Sequence, residues 1–364
     1  MKDRKKTLKR TLISLLFLLL NVAIICYLAA TDNEMKGDIS GLSLFNFNIV
    51  IIAVVFMIVY IIIDIIKSYI LIKFYTGKRM PLLSIKASLL GKYYDGITPF
   101  SAGSQPFQIY ILNKHNINGI HASGIVLIKF FIFQLVFFIF GVLCLVVTAI
   151  TRTSYGIGYH ILFIVSLAIN LIVPCMFYYL STHGNITGKL LNFFLNIGKK
   201  LHLIKNKDEF NQRVHDRANR FAIAFIQLKA HKIKVLKIFI LTFVEVALYI
   251  LIPFILYISY NPGILTSPEL IKTIIKFSSA YLFIYFVISI IPIPGGSGAA
   301  EFGFKWLMET YFVTNMVSSV SIAIILWRSI TYYFPIIIGV FIMVGDFLLN
   351  FRKSKSHYHN NSKN

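Results

Sequence analysis

The sequence predicts an all-α polytopic membrane protein with about eight transmembrane helices and two interrupted, re-entrant segments rich in Gly and Pro. Of the 364 residues, 57% are hydrophobic and only 14% are charged, whereas a soluble domain carries roughly 25% charged residues. Several stretches have about 20 nearly uncharged residues, enough to cross a hydrocarbon core of ~30 Å. The net charge of +22 is concentrated in a few segments, as in cytoplasmic loops of membrane proteins. These observations exclude soluble, disordered and fibrous proteins.

Seven segments are apolar enough to be membrane spans. They are 12–30, 48–66, 119–150, 160–180, 235–258, 270–291 and 328–349. The first is longer than a signal-peptide core of about 7–15 residues, so we expect it to be retained. An eighth, weaker span lies between Phe302 and Leu326 and is interrupted by Lys305, Glu309 and Asn315.

The distribution of basic residues predicts the orientation. Lys and Arg number six in 1–10, six in 65–92, eleven in 182–234 and four in 351–364, which together hold 27 of the 36 basic residues. Because basic residues concentrate in cytoplasmic loops, we expect both termini and the long loop to be cytoplasmic. Two cytoplasmic termini require an even number of crossings, which favours eight over seven.

The predicted organisation has two membrane halves joined by a basic linker. The halves are 11–181 and 235–350, the cytoplasmic amphipathic linker is 182–234, and basic cytoplasmic ends occupy 1–10 and 351–364. The basic face of the linker is typical of a solvated surface beside anionic lipid headgroups. Collection of headgroups or docking of a partner are the alternatives.

One segment in each half breaks the hydrophobic pattern, namely 91–112 in the first and 290–307 in the second. Both are rich in Gly, Pro and Ser, yet both are too apolar and too tightly flanked by spans to be surface loops. Irregular backbone at membrane depth survives only where protein or a water-filled cavity satisfies its polar groups. Such interrupted segments in matching positions of two halves indicate the binding site of a transporter.

The two segments also resemble each other. The pattern P-x3-G-x3-F is formed by Pro99, Gly103 and Phe107 and, 195 residues later, by Pro294, Gly298 and Phe302. A basic residue inside an apolar run follows each pattern, Lys129 in the first half and Arg328 in the second, and a Gly-Val pair follows each of these. We therefore predict an internal repeat, and the sequence leaves open whether it is inverted or parallel.

Ionisable side chains inside spans cost a few kcal/mol each and are therefore candidates for function. The basic candidates are Lys129 and Arg328. The acidic candidates are Asp64, Asp95, Glu245 and Glu301. The sequence has no zinc or P-loop motif, so we expect no metal, no cofactor and no nucleic-acid partner.

Three runs carry a resemblance to a known family. They are GKYYDGITPFSAGSQPFQIYIL, PIPGGSGAAEF and ILWRSITYYFPIIIG. Together they resemble the transmembrane region of the bacterial lysylphosphatidylglycerol synthase/flippase family, and the similarity covers about residues 10–350. Bifunctional members also carry a C-terminal cytoplasmic domain that transfers lysine to phosphatidylglycerol. This sequence ends at Asn364 with a short basic tail, so we expect its relation to be with stand-alone flippase-like members and expect no transferase activity from the chain by itself.

The resemblance implies a lipid flippase and gives the candidate residues roles. A planar guanidinium binds two phosphate oxygens at once, so Arg328, with Lys129, is expected to bind a lipid phosphate, together with the backbone of the Gly-rich turn. Carboxylates are expected to bind a headgroup cation or to form ion pairs. The phosphate set is Arg328, Lys129, Gly295, Gly296, Ser297 and Gly298, and the carboxylate set is Glu301, Asp95, Asp64 and Glu245. The groove-lining set is Pro99, Ser101, Gly103, Ser104, Gln105 and Pro294.

Structural alternatives stay open for these residues. Arg328 could form a purely structural pair with Glu301 or extend to the membrane interface. Glu301 could instead stabilise a helix N-terminus, and Asp95 could cap a turn. Asp64 lies near a predicted span end beside Lys67, so a surface pair is its structural alternative. The groove serines could join helices by hydrogen bonds.

From the resemblance we expect a multi-pass protein of the bacterial cytoplasmic membrane that moves a phospholipid, most plausibly lysylated phosphatidylglycerol, from the inner to the outer leaflet. The consequence would be resistance to cationic antimicrobial peptides. The expected partners are membrane phospholipid and a separate synthase protein, and the oligomeric state stays open, a homodimer included. The alternatives are a lysyltransferase family member that acts only with a separate synthase, a carrier of a polyprenyl-phosphate-linked sugar, and an ion or solute transporter.

Overall fold

A computed structural model of the chain describes residues 39–101, 103–151, 156–182, 230–314 and 317–345, together with 223 and 226–228. The predicted first span, both basic ends and almost all of the basic linker lie outside the described residues.

The described chain folds mainly into helices. In chain order the helices are α1 (Phe47–Thr76), α2 (Pro81–Ile97), α3 (Ser104–Lys114), α4 (Gly119–Thr151), α5 (Ile157–Thr182), α6 (Lys232–Tyr260), α7 (Leu270–Ser289), α8 (Ala299–Met308) and α9 (Val320–Gly345). Short 3-10 turns occur at Ile39–Leu44, Pro99–Ser101, Pro262–Thr266, Pro294–Gly296 and Glu309–Tyr311. Two strands of two residues, β1 (Val313–Thr314) and β2 (Val317–Ser318), form an antiparallel pair before α9.

Among the described residues, five helices are long and apolar enough to cross a membrane, namely α1, α4, α6, α7 and α9. They confirm predicted spans in those places, although α9 begins eight residues before the predicted 328–349. The predicted span 160–180 lies on α5. The weak span between Phe302 and Leu326 is not one helix, because it is divided among α8, a 3-10 turn, the short strands and the first turns of α9. Eight crossings therefore stay a prediction.

The ends of α1 show how local chemistry sets its 30-residue length. The Asn46 side chain accepts a hydrogen bond from the Asn48 N–H and so caps the first turn. At the other end Gly77 adopts φ 69° and donates its N–H to the Lys73 carbonyl, which stops the helix. The result is a helix about 45 Å long at 1.5 Å per residue, so α1 continues well past the predicted boundary at residue 66.

Contacts between chain segments define two ends of the bundle. At the end where α1 begins, the Asn46 N–H donates to the Ser259 carbonyl at 2.8 Å, and Phe312 packs against Tyr260 with ring centres 5.6 Å apart. At the end where α1 finishes, Phe74 packs against His231 with ring centres 5.0 Å apart. We call these the Phe47 end and the Thr76 end. Helices α1 and α6 therefore run antiparallel, and α9 starts at the Phe47 end.

Two broken hairpins enter the bundle from opposite ends. The first consists of α2, the turn Pro99–Ser101 and α3, and it starts from the Thr76 end directly after α1. It also returns there, because α4 begins at that end, where His121 packs against Tyr75 with ring centres 5.6 Å apart. The second consists of α7, the turn Pro294–Gly296 and α8, and it starts from and returns to the Phe47 end. The turns of the two hairpins touch each other inside the bundle.

The predicted re-entrant segments 91–112 and 290–307 coincide with the tips of these hairpins. Helices α2, α3 and α8 have 17, 11 and 10 residues, fewer than the ~20 needed to cross a membrane. The helices that carry Lys129 and Arg328 run in opposite directions through the bundle. An inverted repeat requires this relation, and the repeat itself stays a prediction.

Candidate functional site

A cavity of about 480 Å³ lies where the two hairpin tips meet. Its wall is built from α1 to α7, from α9 and from both tips. The charged side chains that line it are Asp64, Lys67, Lys92, Asp95, Lys129, Glu245 and Arg328. A charged cavity of this kind inside an apolar bundle is the main candidate for a functional site.

Lys67 lies at the centre of a buried charge cluster. Its side chain is 1% exposed, its Nζ forms an ion pair with Glu245, and it lies 3.8 Å from the Asp64 carboxylate. The Lys129 Nζ donates to Asp64 Oδ2 at 3.1 Å and to Ser68 Oγ at 3.0 Å. Pairing of this kind is the condition under which charges survive burial.

Lys92 completes this cluster from α2. Its Nζ donates to the Tyr60 hydroxyl at 2.6 Å and lies 3.8 Å from the Glu245 carboxylate. It also lies 4.1 Å from the centre of the Tyr60 ring, a cation–π distance. The cluster thus holds three Lys side chains and two carboxylates, and it joins α1, α2, α4 and α6.

Arg328 occupies another part of the cavity wall, on α9. Its side chain is buried, its Nε donates to Glu301 Oε1 at 2.7 Å, and its Nη1 donates to the Gly295 carbonyl at 3.0 Å. Its buried Nη2 has no hydrogen-bond partner. Because an unpaired buried donor costs about 1–3 kcal/mol, this nitrogen is the natural place for an anionic oxygen.

Glu301 does not line the described cavity but binds the Arg328 side chain that does. Its carboxylate accepts from the Gly298 N–H at 2.7 Å through Oε2, while Oε1 accepts from Arg328. It therefore both forms the ion pair and satisfies the first turn of α8, where a negative charge is favoured. The structure thus realises together two arrangements that the sequence offered as alternatives.

The Gly-rich tip is tied to the first hairpin through Tyr332. Gly295 has φ 62°, and a Cβ there would lie 2.2 Å from the Tyr332 ring, so only Gly permits this approach. The Tyr332 hydroxyl donates to the Gly96 carbonyl at 2.9 Å. One aromatic side chain of α9 therefore contacts both broken hairpins.

The first tip carries backbone strain at the same depth. Phe100 and Ser101 adopt φ values of 56° and 49°, which are unusual for residues with a Cβ. Strain of this kind concentrates at functional sites. Ser101, Ser104 and Gln105 line the cavity, and their role in a lipid groove stays a prediction.

Other predicted groove residues shape the tips and do not contribute to the described cavity wall. Pro99 begins the first tip and Gly103 follows it. The Gly103 N–H donates to Thr98 Oγ1 at 2.9 Å. Pro294 begins the second tip, where its carbonyl accepts from Ser297 Oγ at 3.2 Å. Gly296 lies in the wall beside Gly295.

Asp95 is the carboxylate at the wall without a cation within 4.0 Å among the described residues. It lies on α2 three residues after Lys92, and its buried Oδ1 has no hydrogen-bond partner. The Oδ1 of Asp95 and the Nη2 of Arg328 are thus an unused acceptor and an unused donor on residues of one cavity wall.

Two expectations about Lys67 and its neighbours are wrong. Asp64 does not form a surface pair with Lys67, because both side chains are buried and α1 continues ten residues past the predicted span end. Lys67 and Lys92 lie in helices α1 and α2, so the basic segment 65–92 is not one loop. The sequence does carry a signal that Lys67 stays inside the helix. It lies in an apolar run that has no Gly or Pro before Gly77.

The sequence also missed the aromatic part of the wall. Tyr60, Tyr249, Tyr285 and Tyr332 line the cavity, and no motif in the sequence marks them. Within the described ranges, no three His, Cys, Asp or Glu side chains are grouped so that they could hold a metal ion.

Comparison with known proteins gives two matches. A family model described as the lysylphosphatidylglycerol synthase TM region matches residues 10–339. A "UPF0104 membrane protein" of Archaeoglobus fulgidus is 23% identical over 268 residues, which covers 73% of this chain and 76% of that protein. No solved structure matches the chain.

Proposed function

The chain belongs to the lysylphosphatidylglycerol synthase TM region family, and from this premise we propose that it moves a phospholipid between the leaflets of a membrane. The observation that carries the proposal is the charged cavity of about 480 Å³ between the two hairpin tips. A lipid translocase needs a polar site at membrane depth for the headgroup, while the acyl chains stay in the bilayer.

Arg328 is the proposed ligand of the lipid phosphate. Its Nε and Nη1 are held by Glu301 and Gly295, so the guanidinium is oriented before the lipid arrives. Its Nη2 is left for a phosphate oxygen, and a charge-assisted hydrogen bond of this kind is about twice as strong as a neutral one. The Lys129 Nζ, which has three protons and uses two of them for Asp64 and Ser68, supplies a further donor.

The placement of the hairpins supports translocation in preference to simple binding. The two tips approach from opposite ends of the bundle and meet at the cavity. A site bounded by two such segments can be opened toward one end or the other by displacing one hairpin, in the way that broken helices serve transporters. We therefore propose that the headgroup crosses the membrane through the region between the tips.

The finer identity of the cargo follows from the family description. We propose an aminoacylated phosphatidylglycerol, above all the lysyl form, which a separate synthase would supply. Its transfer from the inner to the outer leaflet of a bacterial cytoplasmic membrane would reduce the negative surface charge and so favour resistance to cationic peptides. Equilibration or an ion gradient would drive it.

A leaflet assay in cells tests this proposal. The chain is expressed with a separate lysylphosphatidylglycerol synthase in cells that lack a flippase, and outer-leaflet lysyl lipid is labelled with a membrane-impermeant amine reagent. We expect the wild type to raise the outer-leaflet label at unchanged total lysyl lipid. An unchanged label at normal total lysyl lipid would overturn the lysyl cargo, and the polyprenyl-phosphate carrier would become the leading function.

The choice of variant matters because a single change at Arg328 leaves Glu301 as a buried, unpaired charge. The double variant Glu301→Gln/Arg328→Gln removes both charges together; Gln keeps the size of Glu301 and is shorter than Arg328. We expect it to accumulate in the membrane but to lose the outer-leaflet label. Lys272→Gln is the control, because Lys272 forms an exposed ion pair with Glu269, with side chains 61% and 65% exposed.

A further inference from the structure

We propose that Asp95 compensates the charge of the bound headgroup, so that it is protonated when the site holds an anionic phosphodiester lipid and ionised when the headgroup also carries ammonium groups. This inference rests on the proposed function. It assigns to Asp95 the role of a specificity-determining residue.

The first observation is the charge balance of the empty site. Four cations, Lys67, Lys92, Lys129 and Arg328, face four carboxylates, Asp64, Asp95, Glu245 and Glu301. The described site is therefore neutral only when Asp95 is ionised. A buried site that departs from neutrality carries a large electrostatic penalty, because low-dielectric surroundings strengthen every unbalanced charge.

The second observation is that Asp95 differs from the other three carboxylates. Asp64, Glu245 and Glu301 each have a cation within 4.0 Å, so a proton on any of them would leave a buried cation without its partner. Asp95 has no such partner among the described residues, and its Oδ1 makes no hydrogen bond. It is the carboxylate that can take up or lose a proton without breaking an ion pair.

The groups that face Asp95 are consistent with this role. They are Asp64 on α1, Lys92 on its own helix, the Ser104 hydroxyl on α3, Lys129 on α4 and Tyr285 on α7. The Lys side chains favour the ionised form and Asp64 disfavours it. Both Lys side chains already have carboxylate partners, so the charge of an arriving headgroup decides the balance.

The consequence depends on the lipid. Phosphatidylglycerol has one negative charge, so its entry into a neutral site is balanced if Asp95 takes up one proton. Lysylphosphatidylglycerol has one negative and, with both amines protonated, two positive charges. The occupied site then has a net charge of +1 with Asp95 ionised and +2 with Asp95 protonated. The lysyl lipid therefore favours the ionised form, in which the unused Oδ1 accepts from an ammonium group. The pH dependence of binding must therefore have opposite signs for the two lipids.

The sign follows from linkage. Where binding takes up one proton, the dissociation constant rises with pH, at most tenfold per pH unit. We expect this for phosphatidylglycerol above the pH at which Asp95 titrates in the empty site. For the lysyl lipid we expect the dissociation constant to fall as the pH rises toward that value from below. Asp95→Asn carries no charge at any pH, so it should bind phosphatidylglycerol without this pH dependence and should favour it over the lysyl lipid by tenfold or more relative to wild type.

The chain offers a direct optical probe for this experiment. It has two Trp residues, of which Trp327 lines the cavity and Trp306 is 51% exposed on α8. In a Trp306→Phe background, short-chain phosphatidylglycerol is titrated into the purified full chain in detergent between pH 5.5 and 8.5. Its lysyl derivative is titrated between pH 5.5 and 7.0, where both of its amines stay largely protonated, and Trp327 fluorescence is recorded. Glu269→Gln, which removes an exposed carboxylate, is the matched control and should keep both pH dependences.

The outcomes separate the two proposals. Opposite pH dependences in the parent protein, lost in Asp95→Asn, support the role of Asp95. Binding of both lipids with no pH dependence, or with the same sign for both, overturns it and leaves the proposed function intact. Absence of any response to either lipid, with no lipid movement in vesicles, overturns the proposed function itself. The titrations of the Trp306→Phe parent decide the matter even where Asp95→Asn folds poorly.

Discussion

The ion pair between Glu301 and Arg328 gives the sharpest stability prediction, because both side chains are almost completely buried. They are 3% and 6% exposed and are joined at 2.7 Å. Replacing one partner, as in Glu301→Gln or Arg328→Gln, leaves the other charge unpaired inside the bundle. We expect each single variant to lose about 3–5 kcal/mol of the free energy of unfolding.

The double variant should recover much of this loss. With both charges removed, what remains is the loss of charge-assisted hydrogen bonds, including Arg328 Nη1 to the Gly295 carbonyl, each worth about 1.5–3 kcal/mol. Neutral hydrogen bonds between the two amides offset part of it. The loss of unfolding free energy in the double variant should therefore be at least about 2 kcal/mol smaller than the sum of the two single losses. This coupling energy is far larger than that of an exposed pair.

The assay is a double-mutant cycle on the purified chain in mixed micelles, with unfolding by SDS followed by circular dichroism. The pair Glu269 and Lys272 provides a matched cycle on an exposed helix turn, where we expect a coupling below about 0.5 kcal/mol. If the unfolding free energies of the single variants lie within about 0.5 kcal/mol of the wild-type value, this prediction is wrong. Breaking the pair would then not leave a buried, unpaired charge.

The remaining predictions concern the tips and the Lys cluster. Gly295→Ala should lower the free energy of unfolding by about 1–3 kcal/mol and abolish lipid movement, because its Cβ would meet the Tyr332 ring at 2.2 Å. Gly77→Ala is the control and should keep lipid movement. Gly77 also has a positive φ, of 69°, but nothing lies within 4 Å of the added Cβ. Tyr332→Phe should cost about 1 kcal/mol, the value of its bond to the Gly96 carbonyl, and should slow lipid movement measured in vesicles. Lys67→Met should destabilise the chain more than Lys129→Met in the same unfolding assay. The reason is that Lys67 forms ion pairs with both Asp64 and Glu245, whereas Lys129 forms an ion pair with Asp64 alone. Equal losses of unfolding free energy would contradict the central place of Lys67.

The long helices and the hairpin tips could be predicted because their signals are local. An uninterrupted apolar run predicts the ends of α4 to within one residue and those of α6 to within three. The Gly, Pro and Ser content of residues 290–307 marks a break in the helical pattern. The pairing of Arg328 with Glu301 was also foreseen as an alternative, since both belonged to the few charges in apolar surroundings.

The charge cluster around Lys67 could not be predicted in the same way. Lys67 and Glu245 are 178 residues apart in the chain, and no local pattern tells that a Lys will be neutralised by so distant a partner. A Lys near the end of an apolar run normally marks the end of a span, so residues 65–92 were counted as one basic loop. Lys67 stays inside α1 because Glu245 on α6 neutralises its charge, and this contact exists only in the folded bundle.

The central claim is that the cavity between the hairpin tips carries a phospholipid headgroup across the membrane. The most direct measurement uses the purified chain in vesicles with a fluorescent phosphatidylglycerol and an impermeant reductant that bleaches the outer leaflet. If the claim holds, bleaching proceeds beyond the outer-leaflet fraction with the wild type and with Lys272→Gln, and stops at that fraction with Glu301→Gln/Arg328→Gln. If the double variant moves the lipid as fast as the wild type, or if wild-type vesicles bleach only in the outer leaflet, the claim is contradicted.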